Sequence, residues 1–306
     1  MPGTRLDRIF SPLVRPIGTQ DRSVLTLDGV VCGFVTSAGG GSISAPVVRE
    51  SAGAFVRKRL GAPTPEPIEL LLDLSLEKPV YDWISESWQG QASTKSGSLI
   101  ALDADLQATT ELHFERAVIS ATTIPAMDAS AETACVLAIQ LIPATINLEG
   151  AAGPVAGLVT KQRTPWLSSN FRIAIDGLDC TKVSKVNALT ITSGESSLPN
   201  DRSRGPAGTV AAIDCPDVCV VFAEESSKSW ADWHETFVIQ GKNDDTQEKN
   251  GSLIFLAPDL QSQLGSVTFS GLGIYRLTRE ASSAGEPMHV RRTVAELYCQ
   301  RMELVV

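Results

Sequence analysis

The stretch KSGSLIALDADLQ, Lys95 to Gln107, decides the reading, because KNGSLIFLAPDLQ, Lys249 to Gln261, repeats it at nine of thirteen positions. The shared residues are the Lys, Gly-Ser-Leu-Ile, the second Leu and Asp-Leu-Gln. A period of about 150 residues marks a duplicated domain rather than a solenoid of short repeats. The likeness spreads outward from this run. Tyr81-Asp82-Trp83 answers to Ala231-Asp232-Trp233, and Asp28-Gly29-Val30-Val31-Cys32 answers to Asp176-Gly177-Leu178-Asp179-Cys180. Leu112-His113-Phe114 matches Val267-Thr268-Phe269 more loosely. Each half then closes on an apolar run, Ala134 to Leu141 and Val294 to Leu304. The landmarks keep one order in both halves, so one fold is present twice.

Composition bounds the function. The 306 residues are ample for two domains, and 43% hydrophobic with 20% charged residues is the balance of a globular chain. A formal net charge of −9 argues against a grip on nucleic acid, which wants basic stripes to replace counterions on phosphates. No run is long and apolar enough to span a bilayer, and MPGTRLDRIFSPLVRPIG has no apolar core of signal-peptide length. The expected setting is the cytoplasm, or a particle assembled there. The six cysteines, Cys32, Cys135, Cys180, Cys215, Cys219 and Cys299, lack metal-ligand spacing and are expected as buried free thiols.

Taken in order, residues 1–23 read as an arm broken by Pro2, Pro12 and Pro16. The first domain, 24–148, opens with Val24 to Leu27, Asp28-Gly29 and Val30 to Thr36, an Asp-Gly hairpin signal. Val47 to Leu60 carries the basic cluster Arg57-Lys58-Arg59, and Ile68 to Leu72 reads as a buried strand. Ser75 to Gly90 is the expected helix, with Pro79 in its first turn and Val80, Trp83, Ile84 and Trp88 along one face. Ser226 to Gly241 repeats it with Trp230, Trp233 and Phe237. Trp83 and Trp233 are therefore expected as the anchors by which each helix seals its sheet. A strand meander follows each helix. Residues 149–170, rich in Gly and Pro around Trp166, form the expected linker to the second domain, 171–306. In that domain SSLPNDRSRGPAG, with Arg202 and Arg204, occupies the place of the Arg57-Lys58-Arg59 segment. Basic loops at matched positions in an acidic chain are candidate inter-subunit contacts.

Reactive motifs are lacking. His113, His234 and His289 form no metal or nucleophile-activating spacing, and there is no nucleophile elbow, P-loop or dinucleotide fingerprint. Asp82 and Asp232 recur beside the tryptophans and read as solvated or helix-capping carboxylates. Apart from them, the doubled residues are mainly Gly, Trp, Leu and Ile, which is the signature of architecture. No enzyme, cofactor or metal is expected.

Each half resembles the tail-tube protein of contractile-tailed bacteriophages and its relatives in contractile injection systems and type VI secretion. The likeness is carried by Gly61 and the Pro-rich loop after it, Ile68 to Leu72, the helix with Asp82-Trp83, Gly97 to Ile100 and Leu112 to Ala117. Ala295 to Tyr298 and Arg301 to Leu304 match the family's closing strand. The resemblance implies mainly β domains, barrels or curled sandwiches with one flanking helix each, that pack into rings and stack as a tube. It further implies a virion or injection-particle tail assembled in host cytoplasm, sheath, baseplate or tape-measure partners, DNA passing without specific binding, and no membrane. The duplication departs from the single-domain family pattern and implies a three-fold ring of six like domains. A tail hub or end-cap ring fits the same residues, as does a β-sandwich receptor- or carbohydrate-binding particle component.

Overall fold

A computed structural model describes residues 22–52, 55–73, 76–91, 93–158, 166–193, 212–280 and 291–306. The first half runs β1 (Arg22–Leu27), β2 (Val30–Gly40), β3 (Ile43–Ser44), β4 (Val47–Ala52), β5 (Phe55–Leu60), β6 (Thr64–Pro65), β7 (Ile68–Asp73), α1 (Lys78–Trp88), β8 (Lys95–Leu102), β9 (Gln107–Ile124), β10 (Met127–Asp128), β11 (Val136–Ile142) and β12 (Thr145–Pro154). The second runs β13 (Phe171–Ile175), β14 (Val183–Val186), β15 (Leu189–Ser193), β16 (Ile213–Asp214), β17 (Val218–Ala223), α2 (Lys228–His234), β18 (Lys249–Leu256), β19 (Gln263–Arg279) and β20 (Arg292–Val305). The fold is mainly β, with a helix at the same place in each half.

The strands of the first half are ordered β11-β7-β2-β1-β8-β9, and β9 returns to β11, which closes the ring. Ile68, Leu70 and Leu72 of β7, Leu137, Ile139 and Leu141 of β11, and Val24, Leu25 and Phe114 are buried in the core. Each such side chain contributes roughly 1.5–3 kcal/mol by leaving water. The second half keeps the cyclic order: β20-β17-β14 on one side and β20-β19-β18-β13 on the other. Among the described residues no ladder joins β13 to β14, where β1 and β2 pair in the first half.

The repeated sequence is repeated geometry. In β8 and β18, Gly97 faces Phe114 and Gly251 faces Phe269. A Cβ at Gly97 would stand 2.0 Å from the Thr26 carbonyl oxygen, and one at Gly251 would stand 2.6 Å from that of Ala174. Only glycine lets the neighbouring strand approach so closely. The Asp-Leu-Gln turns also match. Leu106 (φ 60°) and Leu260 (φ 55°) are both left-handed, and their N–H groups donate to the Asp103 and Ala257 carbonyls at 3.1 and 2.9 Å. At the hairpin tip Asp28 and Gly29 have φ of 48° and 82°, as a type I′ turn requires.

Four features depart from the expected boundaries, through pairing and packing. Val47–Ala52 and Phe55–Leu60 form a two-stranded ribbon. Residues 149–154, linker-like in composition, are the far half of β12 and pair with β9 through Glu149↔Glu111 and Gly150↔Thr110. The second helix widens into a π-helical turn over Glu235–Ile239, which leaves Phe237 buried edge-on to Trp233 at 5.8 Å. The fourth concerns packing. The chain divides into two compact units, and residues 73–93 and 119–138 belong with the second. The reason is that α1 packs on β15 and β20, while β15 pairs with the end of β9, Leu189↔Ile124 to Thr192↔Ala121. The first-half helix therefore covers strands of the second half rather than sealing only its own sheet.

Substituting Ala at Gly97 or at Gly251 is expected to cost about 1–3 kcal/mol each, through overpacking against a neighbouring strand. Denaturant unfolding of the two single variants measures it.

Candidate functional site

The feature that stands out from the packed body is an arm between β2 and β7. Its base is β3 against β6, in the register Ile43↔Pro65 and Ser44↔Thr64, and its tip is β4 against β5, Val47↔Leu60 to Ala52↔Phe55. Backbone bonds between these ladders, Gly61 N–H to the Pro46 carbonyl at 2.8 Å and Glu66 N–H to the Ser42 carbonyl at 2.7 Å, make one continuous ribbon. The β-branched and aromatic residues Val47, Val48, Phe55 and Val56 favour strand, yet among the described residues nothing covers them. Phe55 is 81% exposed and Leu60 75%, and Ile43, Val47 and Val56 are exposed as well. A lone two-stranded hairpin is marginal in water, and its bare edges are templates for pairing with another chain.

The arm is also basic. Residues 41–67 carry four basic and two acidic side chains in a chain of net charge −9. Arg49 lies opposite Lys58, a like-charge pair that destabilises the ribbon alone. Glu50 lies opposite Arg57 and pairs with Arg59 at 3.7 Å. Arg57, Lys58 and Arg59 thus sit together on one exposed strand. Arg202 and Arg204, their expected counterparts, lie outside the described residues.

Trp83 and Trp233 are buried. Their indole N–H groups donate to the Ser93 and Gln247 carbonyls at 3.0 and 3.3 Å, each closing the segment that follows its helix. Asp82 and Asp232 make i,i+4 ion pairs with Lys78 and Lys228 at 2.6 and 2.8 Å on the exposed side. His113 on β9 meets Ser98 Oγ at 3.2 Å and Glu115 at 3.8 Å, and His234 ends α2; His289 lies outside the described residues. Among the described residues no group of three or more His, Cys, Asp or Glu side chains could hold a metal ion, and no helix is long and apolar enough to cross a membrane.

Sequence reasoning missed a polar knot on β19. Tyr275 donates to Asp217 at 2.8 Å and to Glu296 at 3.2 Å, while Arg276 pairs with Glu296 at 3.1 Å. Burial, followed by these two carboxylates, pushes the phenol well above its ordinary range. No local motif announces it, because its members come from separate strands.

No protein-family model matches this chain, and no curated protein does. Similar solved structures exist. The tube-terminating cap of the anti-feeding prophage shares 21% identity at a TM-score of 0.38, over 46% of this chain and 96% of its own. A chain of the sheath-tube complex of the PVC extracellular contractile injection system, in its extended state, shares 18% at 0.39, over 45% and 93%. Hcp1 from Flavobacterium johnsoniae shares 15% at 0.28, over 44% and 99%.

All six cysteines are thiols outside any disulfide. Burial raises the thiol pKa of Cys135 to about 12 and of Cys299 to about 11, which keeps both protonated at neutral pH. At pH 8 a thiol reagent is expected to label the half-buried Cys180, Cys215 and Cys219 well before Cys32, Cys135 and Cys299. Peptide mapping of the labelled protein checks the order.

Proposed function

We propose that this protein is a non-enzymatic structural subunit of a phage tail or contractile injection particle. Three chains supply six like domains to a ring, and rings stack into a tube. The observation that carries this reading is a duplicated, barrel-like β fold bearing a basic, apolar arm that the described residues leave bare. Such an arm calls for a partner surface, and in a homopolymer every copy provides one. The net charge of −9 suits the passage of DNA or an effector, since like charge on a wall denies a polyanion a resting place. The outer faces would meet sheath, and the ends baseplate or tape-measure protein.

Electron microscopy of the purified chain is expected to show rings and stacked tubes. Rings that never stack would reassign the chain to a hub or end cap, and a strict monomer at high concentration would overturn the reading. Phe55→Ser combined with Leu60→Ser is expected to change unfolding free energy by no more than about 0.5 kcal/mol. The same double variant should lose the stacked tubes.

A further inference from the structure

The duplication leaves one contact made in only one of its two copies. β15 pairs with β16 at Thr192↔Asp214, and β3 pairs with β6 at Ser44↔Thr64. Asp214 and Thr64 each stand four residues before the matching strands β17 and β7. Thr190-Ile191-Thr192 and Ser42-Ile43-Ser44 are therefore equivalent segments with the same polar-Ile-polar pattern. Their surroundings differ. Ile191 is 3% exposed because β15 lies along β9, whereas Ile43 is 60% exposed.

The receiving strand is duplicated too. Gly97↔Phe114 and Lys95↔Ala117 match Gly251↔Phe269 and Lys249↔Leu272, which aligns Ala121 to Ile124 of β9 with Arg276 to Arg279 of β19. Beyond Leu272, β19 pairs only with β20 among the described residues, so its other edge is open where β9 holds β15. The helices tell the same story. Tyr81, Ile84 and Trp88 of α1 are buried, and α1 packs on β15 and β20. At the equivalent places near α2, Ala231 and Val238 are exposed and His234 is half-buried.

We propose that β3 of one copy adds antiparallel to the open edge of β19 in a second copy, in the register Ile43↔Leu277, Ser42↔Thr278 and Ser44↔Arg276. This reproduces between chains the β15–β9 ladder present within the chain, and it rests on the ring-forming role proposed above. The contact joins unlike surfaces, head to tail, which is the kind of interface that closes into a ring. It buries Ile43 against Leu277, as Ile191 is buried beside Thr122, and satisfies backbone groups on both edges. Arg276 and Arg279 flank the acceptor edge with carboxylate partners of their own, Glu296 at 3.1 Å and Glu224 at 3.0 Å, and Glu66, hydrogen-bonded by Ser42 Oγ, stands on the donor.

Two variants of the full chain test the register beside the wild type. Under mild oxidation Ile43→Cys with Leu277→Cys is expected to give a ladder of disulfide-linked dimers and trimers on non-reducing gels. Neither single cysteine variant should do so. Ile43→Lys is expected to keep the wild-type melting temperature, since the site is exposed in the isolated chain. It should raise the concentration needed for assembly by at least about tenfold, because a lysine would be buried at the contact. If the wild type assembles but the double-cysteine variant links no better than its singles and Ile43→Lys assembles normally, the register is wrong and the ring-forming role survives. If the wild type never assembles, both fall together.

Discussion

A β-sheet has two edges, and the backbone groups along them must find partners. That requirement organises this molecule. The first half meets it by closure, with β9 bonding to β8 along part of its length and to β11 elsewhere. The second half has the same cyclic strand order but, among the described residues, no ladder between β13 and β14. It lends β15 to the end of β9 instead. One domain design thus serves as a closed barrel and as a donor of a strand.

Divergence between the copies follows from what covers each one. Positions that keep the two sheets standing are nearly unchanged: the glycines under the neighbouring carbonyls, the left-handed leucines of the Asp-Leu-Gln turns, and the indoles bonded to the following segment. Positions along the helix flank differ, Tyr81, Ile84 and Trp88 giving way to Ala231, His234 and Val238. Residues that close a core face the same neighbours in both halves and change little. Those on the helix flank face different neighbours and diverge.

The arm makes a separate point about charge. Exposed ion pairs add little to stability, so the Arg49/Lys58 opposition is a small burden on the fold. It sets the ribbon apart from an acidic body, however, and opposite charges steer association before any apolar contact forms. Phe55 and Leu60 then supply area to bury.

How much of this was legible depends on the range of the interactions involved. The Gly-Ser-Leu-Ile and Asp-Leu-Gln runs, the Asp-Gly tip and the spaced tryptophans are short-range signals, and they were enough to determine a duplicated, mainly β chain with one helix in each half. Composition misled where pairing outweighed it: the Gly- and Pro-containing end of β12 is strand because β9 offers it a ladder. Val47 to Leu60 carried no packing pattern, since among its described residues neither face of the ribbon is buried. The exchange of β15 onto β9, the seating of α1 on β15 and β20, and the knot at Tyr275 were decided only in three dimensions. The sequence by itself determined what each repeat is, because turns, caps and side-chain periodicity are local. The tertiary structure alone decided which strand each edge receives, because a backbone hydrogen bond across a sheet carries no record in either strand of the partner it will meet.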